Sequence, residues 1–170
     1  MIKISPSIVS ASFLQIEQVM GDLESAGADM VHFDIEDGTF VPVMNLGVKS
    51  IQEFRALTEL PFDVHLMIIN PEWIIPEMAK RGVNRLSIHF EACAYPRRTL
   101  KKIVDHGMSA GLAFNPKTPI PDLRFCLPYL SFIVLLTTEP EDWSGEYLPS
   151  VLDKLQKNKS ILDIDESINN

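Results

Sequence analysis

Two histidines and two aspartates in this chain have the types and spacing to hold a divalent metal. In V-H-F-D-I-E-D-G, Val31, Phe33 and Ile35 alternate with His32, Asp34 and Glu36. A strand has a side-chain period of two, so the apolar set faces one way and the polar set the other. An imidazole and a carboxylate two residues apart therefore share a face, and Asp37-Gly38 closes the strand with turn chemistry. His65 stands in D-V-H-L-M and Asp165 in L-D-I-D-E-S, each at or near the C-terminal end of its own predicted strand. Imidazole nitrogen with carboxylate oxygen suits Zn²⁺, Fe²⁺ or Mn²⁺. The plainer alternative is a half-exposed strand with a polar face, in which each histidine is only a satisfied core or surface residue.

Strand ends of this kind need a scaffold, and the rest of the chain reads as one. Short β-rich runs fall at Ile2–Val9, Met30–Asp34, Phe62–Met67, Arg85–Phe90, Ala110–Phe114, Phe132–Leu136 and Ile161–Asp165. Amphipathic segments lie between them: Phe13–Ala26, Val48–Leu57, a stretch opened by Pro71 and closed by Gly82, Pro96–His106, Pro119–Leu127 and Leu148–Lys157. Strands alternating with helices predict an α/β fold with a parallel sheet. No Gly-x-Gly-x-x-Gly follows the first strand, which argues against a dinucleotide fold and for a TIM (β/α)8-type barrel. Such barrels run to about 250 residues, with eight units. The expectation is therefore one barrel domain over residues 1–170, incomplete, with about seven strands and the eighth βα unit missing.

Bulk properties narrow the function further. Twenty-three acids against fifteen bases give a net charge of −8, without a Lys/Arg block, so nucleic acid and anionic membranes are not expected partners. The N-terminus carries no long apolar run and no segment approaches a membrane span. Cys93 and Cys126 are too few for a disulfide framework and read as packed thiols in a reducing, cytoplasmic protein. His89 reads as a core histidine, and His106 as a cation at a helix C-terminus beside Gly107.

Six motifs, in order, carry a resemblance. They are S-P-S-I-V-S-A at Ser5–Ala11, A-G-A-D at Ala26–Asp29, H-F-D-I-E-D-G-T-F-V-P at His32–Pro42, D-V-H-L-M at Asp63–Met67 with Asn70-Pro71, H-F-E-A-C at His89–Cys93, and G-L-A-F-N-P-x-T-P at Gly111–Pro119. Together they resemble the ribulose-phosphate 3-epimerase family of TIM barrels. D-I-E-D at Asp34–Asp37 and T-x-E-P at Thr137–Pro140 are similar to an epimerase-like branch of it. The resemblance implies one divalent metal (Zn, Fe(II) or Mn) held by His32, Asp34, His65 and Asp165, with Asp34 and Asp165 as the acid/base pair. It implies that Ser7 and His65 touch a sugar phosphate, and that Met67 is a retained family methionine at the substrate. The reaction would be inversion at C3 of a ketose phosphate, ribulose 5-phosphate or a relative. Two carboxylates on opposite faces of the carbon then exchange its proton, and no organic cofactor is required.

The departures are as specific as the matches. Where the family has a glycine-rich phosphate loop, this chain has E-P-E-D-W-S-G-E, and Glu166 and Ser167 stand where two glycines are usual. Glu36 and Thr137 replace methionines. These changes leave open a second expectation: a non-catalytic, truncated epimerase-like barrel that keeps the scaffold and the metal site. Association of copies into a homo-oligomer also stays open.

Overall fold

Five of the apolar runs form parallel strands in a computed structural model that describes residues 2–140 and 145–159. They are β1 (Val31–Glu36), β2 (Phe62–Met67), β3 (Val83–His89), β4 (Ser109–Phe114) and β5 (Phe132–Leu135). Helix α1 (Ile16–Ser25) precedes β1, α2 (Val48–Arg55), α3 (Ile75–Lys80) and α4 (Pro96–Asp105) lie between successive strands from β1 to β4, and α5 (Ser150–Lys157) follows β5. The strands make one sheet in the order β1-β2-β3-β4-β5, every neighbour parallel. A doubly wound sheet reverses its order at a switch point; this one does not. Each crossover steps one strand onward; parallel crossovers are right-handed as a rule, so the helices collect on one face and the other becomes a barrel interior. Five strands of a TIM-type barrel are thus present among the described residues.

Packing follows the two-residue period. Phe33 of β1 meets Phe62 of β2 in a tilted pair at 4.4 Å and stacks with Phe54 of α2 at 6.1 Å. Phe33, Phe62, Val64 and Leu66 have no exposed surface, and Ile51, Ile75, Met78, Leu100 and Ile103 of the helices meet that layer. Each large apolar side chain buried in this way contributes about 1.5–3 kcal/mol. The intervening residues, His32, Asp34, Asp63 and His65, therefore face the interior. Gly111 of β4 leaves its place in that interior to the Phe132 ring, which would overlap any Cβ there. Gly107 ends α4 at φ 83°, a conformation that costs a residue with a Cβ more than it costs glycine.

Three expected elements differ from the structure. The run Ile2–Val9 is not a strand: it makes one parallel bridge, Ser7 with His32, before the turn Ile8–Ser10. Pro6 lacks the N–H that a ladder needs, although its carbonyl accepts from His32 N at 2.8 Å. Pro119–Leu127 forms no helix, only a turn at Leu127–Tyr129, because Pro119, Pro121 and Pro128 remove donors and restrict the residues before them. The stretch from Pro71 to Gly82 splits into a turn at Pro71–Trp73 and α3. The predicted strand Ile161–Asp165 lies outside the described residues. Cys93 and Cys126 are buried free thiols, as expected, and burial pushes the Cys126 thiol up to about 11. Among the described residues, no helix is long and apolar enough to cross a membrane.

Candidate metal and active site

The register of β1 against β2 assembles the site. His32 lies opposite Asp63, Asp34 opposite His65, and Glu36 opposite Met67. Because all six share the inward period, the two strand ends present a band of polar groups that neither strand would make alone. Ser7 enters through its bridge to His32 and donates from Oγ to Asp34 Oδ2 at 2.7 Å.

Asp34 is the centre of the cluster. Its Oδ1 lies 3.1 Å from His32 Nε2 and 3.4 Å from His65 Nδ1. One ligand atom each from His32, Asp34 and His65 can be chosen so that all lie within 4.8 Å of one another. On the far side of the His32 ring, Nδ1 lies 3.0 Å from Asp63 Oδ2. His65 Nε2 is buried and has no hydrogen-bond partner among the described residues.

The charges are arranged around that centre. Burial works against the Asp34 carboxylate, but contacts with His32 and His65 outweigh it and hold the group well below the usual carboxylate range. Burial also opposes an imidazolium at His32, yet Asp34 and Asp63 on its two sides raise it to about 9. At His65 burial dominates and lowers the pKa, against the pull of Asp34. Asp63 is held below its ordinary value, burial being outweighed by His32 and Arg85. Without a metal, the carboxylates on the two sides of the His32 ring therefore favour its imidazolium. Two imidazoles and a carboxylate, each with one ligand atom within 4.8 Å of the others, fit a Zn²⁺, Fe²⁺ or Mn²⁺ ion by donor chemistry.

Beside the cluster lies a cavity of about 510 Å³, lined by Ser7, Asp34, Glu36, His65, Met67 and Glu139 among others. Of the residues singled out in the sequence, His32, Asp34 and His65 come together, and Ser7 and Met67 border the same cavity. Asp165 lies outside the described residues. His89 is a core histidine, fully buried, as expected, but its ring stacks on His65 at 4.8 Å and its Nδ1 meets Glu91 Oε2 at 3.2 Å. His106 donates from Nδ1 to Lys102 O at 2.7 Å, at the end of α4. Asp63 and Arg85 join the site as well, without a role in the sequence reading. The signal for Asp63 was present, since it precedes His65 by one strand period and must share its face.

The chain matches the model of the Ribulose-phosphate 3 epimerase family over residues 3–169. It is 39% identical over 163 residues to the ribulose-phosphate 3-epimerase of Bacillus subtilis (strain 168), covering 96% of this chain and 75% of that protein. With the ribulose-phosphate 3-epimerase of Escherichia coli (strain K12) it shares 36% over 163 residues, 94% of this chain and 72% of that one. Among solved structures it resembles a mutant tryptophan synthase alpha-subunit from the hyperthermophile Pyrococcus furiosus, with a TM-score of 0.65 at 14% identity. That match covers 94% of this chain and 74% of the other, and at such identity it speaks for the fold alone.

Proposed function

Because the chain belongs to the ribulose-phosphate 3 epimerase family, we propose that it is a metal-dependent epimerase inverting C3 of a ketose phosphate, ribulose 5-phosphate or a close relative. The observation that carries this reading is the convergence of His32, Asp34 and His65 on one point beside the cavity. Removing a proton next to a carbonyl needs a base that is anionic, desolvated and aimed. Asp34 is a half-buried carboxylate beside the cavity, and the Ser7 hydroxyl aims it by holding Oδ2. In the proposed cycle Asp34 takes the C3 proton from one face, leaving a planar enediolate. Asp165 then gives a proton to the opposite face, and the roles exchange in the reverse direction.

A bound Zn²⁺, Fe²⁺ or Mn²⁺, held by His32, Asp34 and His65 with Asp165 as fourth ligand, would supply positive charge against the negative charge that develops on the substrate oxygens. Ser7 and His65 would bind the sugar's hydroxyls, and Met67 would form an apolar wall. No organic cofactor is required, because only protons move. A cytoplasmic location, with free thiols, belongs to the same reading.

One observation favours the non-catalytic alternative. The described lining of the cavity holds Asp34, Glu36 and Glu139 but neither lysine nor arginine, which is unfavourable for a phosphate dianion. The test is exchange of the C3 proton of ribulose 5-phosphate and related ketose phosphates with solvent deuterium, in the presence of each metal. Asp34→Asn should abolish exchange while metal still binds, because an amide cannot accept the proton. Undiminished exchange in that variant removes Asp34 as the base. Absence of exchange from the parent chain with every ketose phosphate assigns it to the non-catalytic reading.

A further inference from the structure

Asp63 is an acid in the wall of the barrel, and no step of the proposed cycle uses it. It is 8% exposed. A buried carboxylate is costly unless it is paired and hydrogen-bonded, so its partners are informative. Oδ2 faces His32 Nδ1 at 3.0 Å and accepts from Ser5 Oγ at 3.4 Å. Oδ1 lies 3.4 Å from Arg85 Nε of the neighbouring strand β3, an ion pair without a hydrogen bond between the two atoms. The Arg85 guanidinium in turn lies 4.0 Å over the Phe132 ring of β5. A line of contacts therefore crosses the barrel wall from β5 to β1 and ends on the nitrogen of His32 that points away from Asp34 and His65.

That nitrogen decides how His32 can ligate. A neutral imidazole has one N–H and one lone pair, and the hydrogen bond made by one nitrogen fixes which is which. Nε2 is the His32 atom that faces Asp34. To offer its lone pair there, the ring must keep its proton on Nδ1, and an acceptor must hold that proton. We infer that Asp63 is the positioning residue for His32, fixing both its Nδ1–H tautomer and its ring plane, and that Arg85 anchors Asp63 for this task. Among the described residues His65 has no equivalent: its Nδ1 faces Asp34 and its Nε2 has no hydrogen-bond partner there. The two histidines are thus held differently. His32 is oriented by a carboxylate, His65 by packing against the His89 ring. The inference rests on the metal reading above, and the experiment separates the two.

The full chain, labelled with ¹⁵N-histidine, is titrated with Zn²⁺ in competition with a chromophoric chelator, and long-range ¹H–¹⁵N spectra report the His32 tautomer. Parent protein should bind Zn²⁺ with His32 protonated at Nδ1 alone. Asp63→Ala should weaken Zn²⁺ binding about 10- to 100-fold, the usual effect of removing an orienting partner of a ligand, and should lose the single tautomer. Asp63→Asn, whose carbonyl oxygen can accept the same bond, should recover most of the affinity and the Nδ1–H signal. A purely structural Asp63 would lower the melting temperature and leave tautomer and affinity alone. If Asp63→Ala does not fold, Arg85→Gln carries the test and should weaken Zn²⁺ binding several-fold. Unchanged affinity and tautomer in the folded variant overturn the inference. A parent chain that binds no Zn²⁺ overturns the metal reading, and the inference with it.

Discussion

Gly111→Ala places one methyl group where the structure has no room for it. The added carbon would lie 2.9 Å from Phe132 Cδ2 and nearer still to Cε2 and Cζ. Carbon atoms rest at about 3.5–4.0 Å, so something must move by roughly 1 Å or more. Two routes are open. If the sheet holds, the methyl is overpacked against the ring, which costs about 1–3 kcal/mol. If the ring swings outward, it leaves Arg85, and a stacked cation at 4.0 Å is lost at about 0.5–2 kcal/mol, together with the ring's own packing. Both routes give a loss of about 1–3 kcal/mol. For a chain of this size that corresponds to a fall in Tm of about 2–12 °C, readable by circular dichroism in the metal-free protein. The double variant Gly111→Ala with Phe132→Leu distinguishes a steric cause from a backbone one. If the ring is what the methyl meets, the double variant should lose clearly less than the sum of the two single losses. A Gly111→Ala chain that melts with the parent, or strictly additive losses, would refute the reasoning.

Two further outcomes follow from the charges and donors of the site. In the metal-free chain, His32 is raised to about 9 from the ordinary value near 6.5. Its stabilisation is therefore complete below about pH 6.5 and is lost as pH rises through 9, at most about 3 kcal/mol in all; His32→Gln should flatten that alkaline slope in urea titrations, and an unchanged slope would dissociate it from His32. Zn²⁺ at a hundred times its Kd should add about 2.7 kcal/mol to the stability of the parent, reversibly on chelation. His65→Ala, which removes a donor from the three-residue cluster, should abolish most of that gain in a thermal-shift titration; an equal gain in both chains would place the metal elsewhere.

The face of each residue was legible because strand geometry is local. The alternation of Val31, Phe33 and Ile35 with His32 and Asp34 needs nothing but a two-residue period to separate a helix-facing side from an interior one. The same period put His65 on the inner face of β2, and the βα alternation, with no Gly-x-Gly-x-x-Gly after the first strand, pointed to the barrel class. Register was not legible. That His32 stands opposite Asp63, and Asp34 opposite His65, depends on how β1 and β2 are aligned across a crossover containing α2. That alignment is set by the packing of Phe33, Phe54 and Phe62 on the outer face, which no single strand encodes. The same holds for Arg85, whose partners Asp63 and Phe132 come from two other strands. Proline marks the other limit. The run Ile2–Val9 has strand composition, yet Pro6 cannot donate to a ladder, and the chain keeps only the bridge that delivers Ser7 to Asp34. Sequence alone thus decided which groups face inward, since that is a property of neighbours in the chain. Tertiary structure decided which inward groups meet, because meeting is a property of strands brought side by side by the packing behind them.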